Sequence, residues 1–174
     1  LFDRLRLLPG GPRVSVLNAG ISGNRLLRNG TGPSALSRFR RDALGQPGVH
    51  TMVIMEGIND IARGGAPSAR ALIAGYRRLI RQARAAGVRV VGGTLTPFRG
   101  RPAYTAAKER IRRQVNRWIR TGGAFDAVAD FDRALRDPAR PRRLLPRYDS
   151  GDHLHLSEAG RRRMAAVVQR IPWN

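Results

Sequence analysis

The chain predicts an α/β protein of three layers, a parallel sheet covered by helices on both faces. Two observations carry this. Short Val-rich apolar runs alternate with segments of helical periodicity, and neither a linker nor a repeat breaks that alternation. At 174 residues the chain fits one domain, spanning 1–174, with a substantial core.

Leu1 to Leu8 reads as the end of a helix, stopped by Pro9-Gly10-Gly11-Pro12. Arg13 to Asn18 is a short strand, and Ala19 to Pro33 a Gly-laden loop. Ser34 to Leu44 is a helix. Thr51 to Glu56 is an apolar run suited to a buried parallel strand. Leu72, Ile73, Tyr76, Leu79 and Ile80 recur at helical spacing and predict a helix over 68–86. Val88 to Gly93 is a third strand. Ile111, Val115, Trp118 and Ile119 mark a helix over 103–121, and Ala127 to Phe131 is a fourth strand. Ser157 is placed to cap a last helix whose apolar face is Met164, Val167, Val168 and Ile171.

Composition narrows the chemistry. There is no Cys, which excludes disulfides, thiolate catalysis and zinc sites built on thiolates. No apolar run approaches the ~18 residues of a membrane span, and residues 1–12 do not have the form of a signal peptide. The net charge of +21 raises the question of nucleic acid. Of the 33 basic residues 32 are Arg, however, spread over nearly every segment without an aromatic-interleaved cluster. That dispersal argues for a compositional bias and against specific nucleic-acid recognition, leaving weak salt-sensitive binding to polyanions.

In a parallel α/β sheet, ligands collect at the carboxyl ends of the strands. Three segments of unusual polar or Gly content fall there: 18–24, 57–60 and the turn 149–157. The last holds Asp152 and His155 three residues apart, at the entry to a helix, where a carboxylate can orient and charge-stabilise an imidazole. Such a pair activates a nucleophile that lies elsewhere. In Gly20-Ile21-Ser22-Gly23-Asn24, a glycine after a strand frees an N–H to face a ligand. In Gly57-Ile58-Asn59-Asp60 the Asn amide offers a second donor. Two donors converging on a developing alkoxide make an oxyanion hole. The alternative for both segments is ordinary turn and cap chemistry.

Taken together, Ser22-Gly23-Asn24, then Gly57 to Asp60, then Asp152 to His155 resemble the SGNH, or GDSL-type, hydrolases over about 14–166. NAGISGNRLL and YDSGDHLH are especially similar to the secreted bacterial esterase branch. The resemblance implies a flavodoxin-like sandwich and cofactor-free ester hydrolysis by a serine nucleophile, without metal. Gly23 and Asn59 would supply the oxyanion hole, His155 the general base and Asp152 its orienting acid, with activity rising as the base loses its proton. A small-molecule or carbohydrate ester would be the substrate, outside the cell. Acyl group and oligomeric state stay open.

The family's first block, Gly-Asp-Ser at the end of the first strand, is not found before Gly23. The expectation is therefore a domain lacking its first strand, with the nucleophile upstream, a displaced or unpaired neighbouring strand and poor stability. Ser22 does not sit in a Gly-x-Ser-x-Gly elbow, since position 24 is Asn. Ser150 and Ser157 read as turn and cap residues, His153 as pointing away from His155, and His50 as solvated. A metal site built from Asp152, His153 and His155 lacks a further His nearby. Arginines in 37–42 and 161–163 read as surface residues. If translation starts near Leu1, a non-catalytic carbohydrate- or ester-binding module becomes the alternative. A nucleic-acid-binding protein ranks third.

Overall fold

The computed structural model describes residues 15–63 and 68–172. The expected helix over Leu1 to Leu8 and the start of the expected strand at Arg13 lie outside them. The described residues pack as two compact units, those within Ala19–Leu95 and Ala103–Val128, and those within 15–18, Thr96–Pro102 and 129–172.

The larger unit holds the sheet. Helix α1 (Ala35–Phe39), capped by the Ser34 hydroxyl, widens into a π-helical turn over Arg40–Leu44, where the Gly45 N–H reaches the Arg40 carbonyl at 2.8 Å. Strand β1 (Thr51–Ile54) leads to a short helix α2 (Ile58–Ala62). Helix α3 (Ala69–Ala85) is capped by Ser68, and strand β2 (Arg89–Gly93) follows. Helix α4 (Ala106–Thr121) is capped by Thr105, and β3 is Ala127–Ala129. The strands lie in the order β1-β2-β3, with β1 and β2 parallel and Thr51 opposite Arg89.

Of the stripe predicted from spacing on α3, Leu72, Tyr76, Leu79 and Ile80 are buried and Ile73 is half-buried; Ala83 extends the buried face. Val115 and Ile119 of α4, Val90 and Val91 of β2, and Leu26 and Ile61 are buried in the same unit. The polar side chains around the end of β2 are paired, as burial demands. The Asn116 amide accepts from Leu95 N (2.8 Å) and donates to Leu95 O (2.8 Å). Arg112 donates to the same carbonyl at 2.6 Å and is held by buried Glu109 at 2.8 Å. This network fixes the chain where it leaves β2.

Two strands end earlier than expected. The run Thr51 to Glu56 is a strand only to Ile54; the Tyr76 hydroxyl donates to the Glu56 carbonyl, and Gly57 turns the chain into α2 at φ +105°. The expected strand 127–131 stops at Ala129, because the Asp130 carboxylate accepts from Arg133 N and starts α5 (Phe131–Leu135). Residues 15–18 join no strand, and Val16 and Leu17 are 38% and 67% exposed. A Val-rich run fits a sheet but cannot become a strand without a neighbouring edge. Among the described residues, β1 is an edge strand.

In the smaller unit, α5 packs on α6 (Glu158–Gln169), which Ser157 caps by accepting from Gly160 N at 3.2 Å. Phe98, Phe131, Leu135, Val168 and Ile171 are buried, while Met164 and Val167 of the expected face are only half-buried. The loop 149–156 is closed at its neck by an isolated bridge between Asp149 and Leu156, with Ser150 N to His155 O at 3.0 Å and Ser157 N to Tyr148 O at 3.0 Å.

Glu56 yields a stability prediction. Burial pushes its carboxyl up to about 7; Arg38, 3.5 Å away, opposes this and Asp60 reinforces it. The folded value lies above the ordinary 4.5. Below about pH 4.5 the group is therefore protonated in both states, and its burial carries no charge penalty. The cost of ionising it in place grows as pH rises through about 7, reaching at most about 3 kcal/mol. Glu56→Gln is expected to raise the midpoint of thermal unfolding at about pH 8 and to lose that advantage at about pH 5. An advantage of equal size at both values would contradict the assignment.

Candidate functional site

The Asp152 and His155 side chains meet as their spacing predicts. His155 Nδ1 lies 2.6 Å from Asp152 Oδ2. The other carboxylate oxygen, Oδ1, accepts from Leu154 N (3.0 Å), His155 N (2.8 Å) and the Ser150 hydroxyl (3.2 Å). Burial opposes ionisation of Asp152, but the backbone N–H groups of His155 and Leu154 and the His155 ring outweigh it, holding the carboxyl well below the usual carboxylate range. A carboxylate fixed as an anion beside Nδ1 favours the tautomer with hydrogen on Nδ1, which leaves Nε2 as the acceptor. The His155 side chain is 63% exposed, so that nitrogen is reachable.

A third member of this cluster is not visible in the sequence. Arg101 Nη1 lies 2.7 Å from Asp152 Oδ2, the oxygen that also faces His155. Nor does sequence identify the partner of His153. Its ring is turned from Asp152 and pairs through Nδ1 with Asp149 Oδ2 at 2.7 Å, with φ at +63°. The i,i+4 spacing of Asp149 and His153 is the signal that could have found it. Under the His153 ring lies Gly100, at φ +120°; a Cβ there would sit 2.6 Å from His153 Cγ. Both the backbone angle and the close approach require glycine.

In the larger unit, Gly23 and Asn59 are brought together. Asn59 Nδ2 donates to the carbonyl of Asn24, the residue after Gly23, at 3.0 Å, leaving a second amide hydrogen. Asp60 serves the backbone. Buried, it accepts from Leu26 N at 2.7 Å and Leu27 N at 2.9 Å, tying the loop to the first turn of α2. Among the described residues Gly23 N–H meets no acceptor. Gly23 sits at φ +73°, and the Arg63 guanidinium fills the space where a side chain would begin, 2.7 Å from a built Cβ. Asn24 is buried and donates to Thr31 O (3.2 Å) and Pro33 O (2.8 Å).

Arg38 is not the surface residue expected from its neighbours. It is buried, and it donates to Asn24 Oδ1 at 2.9 and 3.1 Å and to the Ala19 carbonyl, bracing the loop that carries Gly23. A guanidinium suits this role because its planar fork satisfies several acceptors at once. By contrast, Arg161 and Arg162 lie at the surface, bonded to Leu156 O and Glu158. His50 is exposed, as expected, and its carbonyl accepts from Arg89 N at 2.9 Å. Ser34, Ser68 and Ser157 cap helices, and among the described residues no serine hydroxyl is bonded to the His155 ring. No helix among the described residues is long and apolar enough to cross a membrane.

Residues 3–163 match the GDSL-like lipase/acylhydrolase family. The fold agrees with solved structures of that kind. A GDSL-like lipase from Bacteroides thetaiotaomicron superposes with a TM-score of 0.64 at 21% identity, over 78% of this chain and 67% of that one. An acetylxylan esterase from Geobacillus stearothermophilus superposes with a TM-score of 0.63 at 20% identity, over 88% of this chain and 71% of that one. No functionally curated protein matches the chain. The chain belongs to the GDSL-like lipase/acylhydrolase family, with the α/β sandwich fold expected from its alternating strands and helices.

Proposed function

We propose that this chain carries the acid–base and oxyanion residues of a serine ester hydrolase. His155 is the general base, oriented by Asp152, and Gly23 N–H and Asn59 Nδ2 are donors to the oxyanion. The nucleophilic serine comes from sequence N-terminal to these 174 residues, as part of the same single domain. The observation that carries the reading is the 2.6 Å contact between His155 Nδ1 and a carboxylate held as an anion. The unpaired edge of β1 and the absence of any described serine at the imidazole support an upstream nucleophile.

In the reaction, the serine Oγ attacks the ester carbonyl as His155 Nε2 takes its proton. The tetrahedral oxyanion is stabilised by the two donors, and His155 passes its proton to the leaving alcohol. Water activated by the same nitrogen then releases the acid from the acyl-enzyme. The reading needs an N–H free to face the oxyanion, and it is supported by the Gly23 N–H, which meets no acceptor among the described residues.

The substrate proposed is a small or carbohydrate ester. Support comes from the acetylxylan esterase neighbour and from the likeness of NAGISGNRLL and YDSGDHLH to secreted esterases, which also favours action outside the cell. The test is hydrolysis of short-chain p-nitrophenyl esters and acetylated xylo-oligosaccharides by the protein extended to include its upstream sequence. Turnover lost in His155→Ala is the expected result. Turnover equal in His155→Ala and the parent would overturn the reading.

A further inference from the structure

Resting on the reading of Asp152 and His155 as the acid–base pair, we propose that Arg101 is a positioning residue of that pair. Its guanidinium locks the Asp152 carboxylate and offsets part of its charge, so that His155 gives up its proton at a lower pH than Asp152 alone would allow.

One carboxylate oxygen is shared between two nitrogen donors. Asp152 Oδ2 receives Arg101 Nη1 at 2.7 Å and His155 Nδ1 at 2.6 Å, and the same Nη1 stands 3.4 Å from the Asp152 carbonyl. With Oδ1 already accepting from Leu154 N, His155 N and Ser150 Oγ, both oxygens are committed and one rotamer is selected. Arg101 is itself delivered by an anchored turn. Its N–H donates to the carbonyl of fully buried Phe98 at 3.2 Å, and Arg99 N reaches Arg142 O at 3.0 Å. Gly100 lies between them, beneath the His153 ring.

Surface ion pairs usually contribute little, because two long side chains must be ordered for a weak attraction. Here Asp152 is ordered by its other bonds, and only the arginine has freedom to lose. The electrostatic consequence follows directly. An aspartate next to an imidazole stabilises the imidazolium. A guanidinium on the same carboxylate opposes that second positive charge, which favours the neutral ring with Nε2 free to accept a proton. Among the described residues, the charged groups on the same loop and the elements flanking it include Asp149 with His153, Arg161 of α6 on the Leu156 carbonyl, and Arg147 over the Tyr148 ring. All remain when Arg101 is replaced, so a change in the titration belongs to Arg101.

The experiment follows the histidine ring resonances of the 174-residue chain by NMR across pH in the parent, Arg101→Gln, Arg101→Met and Arg101→Lys. The His155 midpoint is expected to rise by on the order of half to one pH unit in the Gln and Met variants. It should return to within about 0.2 unit of the parent in Lys, which restores the charge. The His153 ring, which faces Asp149 and not Asp152, is the internal reference and should titrate unchanged. A His155 midpoint unchanged in both neutral variants, with His153 and the circular dichroism spectrum intact, would overturn the proposal. So would a Lys variant that behaves like Gln. Because the readout is the ring and not turnover, it fails separately from the catalytic reading, which His155→Ala tests in the hydrolysis assay.

Discussion

Asp152→Asn, in the protein extended to carry its nucleophile, is expected to lose about 10⁴-fold in kcat with its fold intact. The size follows from which atoms face one another. Asp152 Oδ2 lies 2.6 Å from His155 Nδ1, while Oδ1 is occupied by the N–H groups of Leu154 and His155. An asparagine keeps its carbonyl oxygen where those two donors point, which places its NH₂ against Nδ1. Two donors cannot share that contact, so the ring shifts its hydrogen to Nε2 and can no longer accept the serine proton. Arg101 Nη1, 2.7 Å from the same position, then also faces a donor and adds to the misfit. Stopped-flow or steady-state hydrolysis gives the rate, and circular dichroism with thermal unfolding reports the fold. A variant within about tenfold of the parent would remove Asp152 from the catalytic pair.

Asn59→Ala is expected to lower kcat by about 10² to 10³ with little change in KM, the behaviour of a donor that acts on charge developing in the transition state. Asn59 also clamps the Asn24 carbonyl at 3.0 Å, so the alanine variant relaxes the loop that carries Gly23. Asn59→Asp likewise loses the bond to Asn24 and tests the charge at the oxyanion more strongly. It keeps the volume, removes both donors and adds a negative charge where the oxyanion forms, and should be slower than the alanine variant. An aspartate variant faster than alanine would contradict a donor role for Asn59 at the oxyanion. The loop itself is braced independently by Asp60 on Leu26 and Leu27 and by Arg38 on Asn24, so neither substitution should unfold the unit.

How legible each part is in the sequence depends on the range of the interaction that builds it. The Asp152–His155 contact closes between residues three apart, so spacing alone predicts it. The long helices α3 and α4 are visible because several turns repeat an apolar stripe. Helices α2 and α5, five residues each, are too short to show a period, and the second hides in the tail of an apolar run ending at Phe131. Arg13 to Asn18 reads as a strand because Val content states a side-chain preference, yet that preference says nothing of a neighbouring strand. The roles of Arg38 and Arg101 are invisible for a common reason. Each depends on a partner 14 or 51 residues away, and in a chain with 32 arginines no single one stands out. Gly23 and Asn59 are assigned by resemblance, and the structure adds the local cause of their proximity, the Asn59–Asn24 bond.

The most direct test of an upstream nucleophile served by His155 is fluorophosphonate labelling, with the modified residue located by mass spectrometry. It is to be run in parallel on the 174-residue chain, shown to be folded, and on the protein extended upstream. The expected result is no label on the shorter chain, and one labelled serine N-terminal to Leu1 in the longer protein, abolished by His155→Ala. Labelling of Ser22 or another serine within the 174 residues, dependent on His155, would contradict it and place the nucleophile inside this chain.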